Sequence, residues 1–153
     1  MKFLEKDLEQ IVWDTDSKIL RERGLNICDL KLRQLRIGNY GIADIITFKR
    51  QRINDVFSEN IITVYELKKD KIDINALLQA TRYVRGIQSY LEKRSIDFEV
   101  KYKIVLVGDS VDQSSFCYIP NIFSEVELVT YELNINGLYF KYHENYLLRD
   151  EGF

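Results

Sequence analysis

Apolar residues recur at helical spacing from the start of the chain: Leu4, Leu8 and Ile11 stand among charged neighbours, and Ile19 and Leu20 continue the stripe until Gly24. This pattern predicts one or two helices between Phe3 and about Arg23. The period then shortens. Leu30, Leu32, Leu35 and Ile37 predict an edge strand over 30–37, with a tight turn at Gly38-Asn39-Tyr40-Gly41. Two β-branched runs follow, Ile42 to Lys49 (IADIITFK) and Ile61 to Lys68 (IITVYELK). Both are apolar on each face, as in central strands covered by helices on either side. Asp73 suits the N-cap of a helix running to about Lys93, buried through Leu77, Ala80, Thr81, Val84, Ile87 or Gln88, and Leu91. A third buried strand is expected from Lys103 to Val107. Beyond a variable stretch holding Pro120, residues Val126 to Leu133 and Leu138 to Tyr142 alternate around Asn136-Gly137, a type I′ hairpin signal that would close one edge of the sheet. The order αβββαβ plus a C-terminal β-hairpin predicts an α/β fold with a mixed central sheet flanked by helices.

Composition narrows the class. The chain has 153 residues, 46% of them hydrophobic, with one proline and seven glycines, which predicts a single domain over 1–153 with a core at about 3–108 and a β extension at about 126–143. The acidic residues of the N-terminal stretch do not suit a signal peptide, and no window reaches the ~20 apolar residues of a membrane span. A cytoplasmic protein with no membrane partner is expected. Cys28 and Cys117, far apart in apolar surroundings, read as reduced, buried thiols. Net charge is −2 but unevenly spread: residues 1–103 hold 20 Lys and Arg against 16 Asp and Glu, whereas 104–153 hold 2 against 8. A basic front and an acidic rear suit a protein that meets a polyanion on one side.

The chemistry gathers on the two central runs. Side chains alternate along a strand, so Ile62, Val64, Glu66 and Lys68 share one face of their strand, and Ile42, Asp44, Ile46 and Phe48 one face of theirs. If the strands are antiparallel neighbours, Asp44 lies beside Glu66. Two converging carboxylates are natural ligands of a hard divalent cation, Mg²⁺ or Mn²⁺, with the backbone carbonyl of Leu67 completing the shell. Lys68 would then hold an attacking water and stabilise developing negative charge, which together describe phosphodiester hydrolysis. Glu-x-Lys in a strand is also a common exposed ion pair. The apolar ITVY before it argues against an exposed face.

At these residues a family resemblance emerges. Gly41-Ile-Ala-Asp44 followed by Tyr65-Glu66-Leu67-Lys68 resembles the PD-(D/E)xK nuclease superfamily, whose restriction-endonuclease-like core is αβββαβ. Glu5 to Glu9, Gly24-Leu25, Arg33-Gln34, Gly41-x-x-Asp44, Glu66-Leu-Lys68 and Gln79 to Tyr83 occur in the order of RecB-like and NucS-like (endonuclease MS-like) nuclease domains, over about residues 3–91. The resemblance implies Asp44 and Glu66 as metal ligands and Lys68 as the catalytic lysine. It also implies Glu5, with Glu9 as an alternative, approaching the metal directly or through water. Gln79 would orient Glu66 or a phosphate, and Tyr83 would contact the nucleic acid strand. Alanine stands where the superfamily's naming proline precedes Asp44. The DNA-binding domain that NucS enzymes carry ahead of the nuclease is not part of the resemblance, so substrate preference does not carry over.

Arg33, Arg36, Lys69, Lys71, Arg82 and Arg85 read either as a phosphate cradle around the site or as ordinary surface charge, with Arg82 and Arg85 flanking Tyr83 for mixed cationic and stacking contacts. His143, the single histidine, reads as a surface residue. The aromatics Tyr131, Tyr139, Phe140, Tyr142 and Tyr146 read as hairpin core or as the seam of a homodimer. The expectation is a metal-dependent nuclease acting on DNA more readily than on RNA. The alternatives are a nuclease-fold binding or regulatory subunit of a larger repair or defence complex, and an RNA-directed nuclease. Endonucleolytic versus exonucleolytic cutting and sequence preference leave no mark on the chain.

Overall fold

The computed structural model describes residues 3–94, 99–112, 114 and 125–143. Its centre is a six-stranded mixed sheet built from β1 (Lys31–Arg36), β2 (Ile42–Arg52), β3 (Ser58–Leu67), β5 (Val100–Gly108), β7 (Glu125–Asn134) and β8 (Gly137–His143), side by side in that order. The β1–β2, β2–β3 and β7–β8 pairs are antiparallel, whereas β3–β5 and β5–β7 are parallel. A parallel neighbour requires a crossover, which α3 (Ile74–Lys93) supplies between β3 and β5. Two short strands, β4 (Lys71–Ile72) and β6 (Ser110–Val111), pair in parallel, β4 following β3 and β6 following β5.

The helices form where the apolar stripes lead. The N-terminal stripe divides into α1 (Glu5–Asp14) and α2 (Ser17–Glu22). With Leu25 and Ile27, these bury Leu8, Val12 and Leu20 against Ile45, Tyr65, Val105 and Val129 on one sheet face. Each such side chain withdrawn from water stabilises the fold by about 1.5–3 kcal/mol. On the other face α3 buries Ala76, Leu77, Ala80, Tyr83 and Val84 against Ile46, Ile62, Val64, Ile104 and Leu106. Asp73 caps α3 as expected, its Oδ1 accepting from the Ala76 amide at 3.1 Å. Lys31 closes the C-terminal end of α1, its Nζ donating to the carbonyls of Val12 (3.2 Å), Trp13 (3.2 Å) and Thr15 (3.0 Å).

Several sequence expectations need adjustment. Strand β2 runs on to Arg52 and β3 begins at Ser58, so the hairpin is longer than the β-branched runs. Beyond Phe48 and before Asn60 its arms pair, among the described residues, only with each other. The predicted tight turn after β1 is a short 3₁₀ helix, Gly38–Tyr40. The C-terminal turn is not type I′: Asn134 pairs with Gly137, leaving Ile135 and Asn136 as the loop, and positive φ falls on Gly137 (+125°) rather than on the two loop residues. Phe140 is buried, Tyr131 and Tyr142 pack partly against the core and Tyr139 is exposed. Cys28 is half-buried rather than buried. Cys117, Pro120 and Tyr146 lie outside the described residues. No helix among the described residues is long and apolar enough to cross a membrane.

Candidate metal centre

The antiparallel register that places Ile45 opposite Tyr65 carries on to place Asp44 opposite Glu66. Asp44 Oδ2 accepts from the Leu67 amide at 3.0 Å, which ties the end of β2 to the end of β3. Glu66 is 3% exposed, and Lys68 Nζ stands 4.0 Å from its Oε1. The Lys68 amide donates to Val107 at 2.7 Å, so β5 fixes the backbone from which the lysine projects. The other Glu66 oxygen, Oε2, is buried with no hydrogen-bond partner.

These surroundings work against ionisation. Burial, then the charge of Asp44 and contact with it, push the Glu66 carboxyl far above the usual carboxylate range, with Lys68 pulling weakly the other way. Burial also raises Asp44. The Leu67 amide and Glu66 counter this and the charge of Glu9 adds to it. Two buried carboxyls in contact, with one Glu66 oxygen that no donor reaches, suit a divalent cation, which would neutralise both and take the free lone pair. The hard oxygen donors fit Mg²⁺ or Mn²⁺. Among the described residues no group of three or more His, Cys, Asp or Glu side chains is placed to hold a metal, so such an ion would keep several of its waters.

The remaining expected residues divide. Glu5 is exposed at the start of α1, and its charge reaches Glu66. One turn on, Glu9 is buried at 7% exposure, bound by Gln34 Nε2 and paired with Arg33 at 3.4 Å. Gln79 Nε2 donates to the Tyr83 hydroxyl at 2.7 Å, and no bond to Glu66 joins it. Tyr83 is 2% exposed and packs in the same cluster as Leu77 and Val84, so the expected strand-stacking role fails. Its hydroxyl titrates high through burial, and it feels the charges of Glu66 and Asp44. Gly41, at φ +121°, makes room for it, since a Cβ there would meet the tyrosine ring at 3.0 Å.

Of the cations, Arg33 turns its Nη2 to α1, bonding Gln10 Oε1 at 2.7 Å and pairing with Glu9. Arg36, Arg82 and Arg85 are exposed, and the charge of Arg82 reaches Tyr83. Lys69 is half-buried and its carbonyl accepts from the Tyr131 hydroxyl at 2.5 Å. His143 is half-buried against Thr130, at 2.6 Å, away from the carboxylates. Sequence reasoning gave Gln34 no role, although counting back along the β1–β2 hairpin sets it opposite Asp44. No family model matches the chain, and searches of curated proteins and of solved structures gave no match.

Proposed function

We propose that this chain is a divalent-metal-dependent nuclease with a restriction-endonuclease-like core, hydrolysing DNA phosphodiester bonds. The observation that carries the reading is the buried Asp44–Glu66 pair with Lys68 at 4.0 Å and Glu66 Oε2 unsatisfied. Burying two carboxyls against one another is costly, and apolar residues of similar volume often replace such groups without loss of stability. An arrangement of that kind is retained for what it binds.

Asp44 and Glu66 would hold Mg²⁺ or Mn²⁺, with the Leu67 carbonyl as a further oxygen donor. The ion supplies Lewis acidity at the scissile phosphate and lowers the pKa of water toward ~7. Lys68 holds the water that attacks phosphorus and stabilises the negative charge that grows on the phosphoryl oxygens. Glu5 approaches from α1 through water. Gln79 holds the hydroxyl of the buried Tyr83, which feels the charges of both carboxyls. The exposed Arg36, Arg82 and Arg85, with Lys69, bind flanking phosphates.

Incubation of single-stranded, duplex and branched DNA, and of RNA, with Mg²⁺ or Mn²⁺ tests the reading. Cleavage of at least one DNA is expected, falling about 10²–10³-fold in Lys68→Ala and at least as far in Asp44→Ala. Inactivity on every substrate, or activity untouched by both substitutions, rejects it. RNA cleavage alone would move the substrate class. Absence of Mn²⁺ uptake by calorimetry would leave the regulatory-subunit alternative.

A further inference from the structure

We infer that Gln34 is a positioning residue of this centre, fastening the Glu9 carboxylate of α1 to the strand position that faces Asp44 and so adding to the negative field into which the divalent cation enters. The inference rests on the metal-dependent reading above.

Gln34 is the one non-glycine among the described residues with positive φ, at +50°. Long side chains rarely adopt that conformation, and where they do the surrounding structure must hold them there. The place is specific. The β1–β2 ladder pairs Arg33 with Ile45 and Leu35 with Ala43, and the missing rung between them is the one joining Gln34 to Asp44. The conformation also redirects the side chain. By strand alternation Gln34 belongs with Leu32, which is paired with Ile46 on the α3 side of the sheet. Its Nε2 instead donates to Glu9 Oε1, on the helix whose Leu8 and Val12 fill the opposite face. The left-handed turn carries the amide around the sheet edge to α1.

Glu9 is held from two sides. It is 7% exposed, with Gln34 on one oxygen and Arg33 at 3.4 Å from the other. Its charge reaches Asp44. A carboxylate kept where its charge reaches Asp44 is unfavourable until a cation arrives. Gln34 and Arg33 hold it there in advance, and the cation then meets a field that needs no rearrangement.

Gln34→Gly isolates the amide, because glycine accepts positive φ and keeps the backbone path. Mn²⁺ titration by calorimetry, on samples that circular dichroism shows to be folded, is expected to give about tenfold weaker binding in Gln34→Gly, the range typical of lost outer-sphere support. Glu9→Gln, which keeps the acceptor but not the charge, is expected to weaken Mn²⁺ similarly. The double variant should be no worse than Glu9→Gln alone, since Gln34 acts through Glu9. Affinity of Gln34→Gly within about twofold of the wild type, or additive losses in the double variant, would overturn the inference. Should Gln34→Gly not fold, unchanged Mn²⁺ affinity in Glu9→Gln overturns it equally. No Mn²⁺ uptake by the wild type rejects the metal-dependent reading and this inference with it, whereas uptake that Gln34→Gly and Glu9→Gln leave intact rejects the inference alone.

Discussion

Asp44 and Glu66 make the stability of the chain depend on pH with a definite sign. Both carboxyls titrate above their ordinary range in the folded chain, so the fold holds protons that the unfolded chain has released. Without metal the pair imposes no penalty below the unfolded value of about 4.3. The penalty grows as pH rises from there through neutrality. In chelator, the pair should therefore lower the melting temperature at about pH 8 relative to about pH 5.5, and Glu66→Gln should flatten that slope and gain about 1 kcal/mol at the higher pH. Scanning calorimetry of both proteins at the two pH values checks this. A Glu66→Gln protein that melts below the wild type at the alkaline end contradicts it.

Among the elements, α1 matters because it carries Glu5 and Glu9 and is held at its far end by a strand. The Lys31 ammonium on β1 satisfies three carbonyls there and lies over the Trp13 ring at 5.7 Å. Lys31→Met keeps the stem and removes the donors, and is expected to lower stability by about 1–2 kcal/mol in urea unfolding. An unchanged midpoint would mean that water serves those carbonyls equally well. Elements of this kind were legible where a single physical cause governs them. The β-branched runs announced β2 and β3, and their charged ends announced Asp44, Glu66 and Lys68. Tyr83 was misread because helical spacing shows which residues share a face but not how deep that face lies, and the bare backbone of Gly41 leaves room for the ring. Gln34 stood in the resemblance without a role for the opposite reason, since strand alternation assumes the ordinary φ that this residue lacks. Arg33 read as phosphate cradle or surface charge, and its contacts with Glu9 and Gln10 went unseen because those partners are more than twenty residues away.

For the molecule as a whole, the strand-helix-strand order carried a mixed sheet, and the β2–β3 hairpin within it brings Asp44 and Glu66 together. The position of β7 beside β5 was less legible, because the connection before it has no periodic pattern. The long β2–β3 hairpin was hidden too, as its outer arms are polar and read as loop. There Arg50 pairs with Asn60, Gln51 with Glu59 and Arg52 with Ser58, and the tip is tied by Asn54 Oδ1 accepting from the amides of Val56 (2.9 Å) and Phe57 (2.8 Å). Val56 is 96% exposed. Such a tip bears little of the core's stability, so a compact reporter module spliced between Asp55 and Val56 should leave the melting temperature and Mn²⁺ uptake of the host unchanged. A loss of either would show that the arm is coupled to the sheet. If it is tolerated, the hairpin becomes a handle by which the protein can be tethered, labelled or pulled from the end of the sheet opposite its carboxylates.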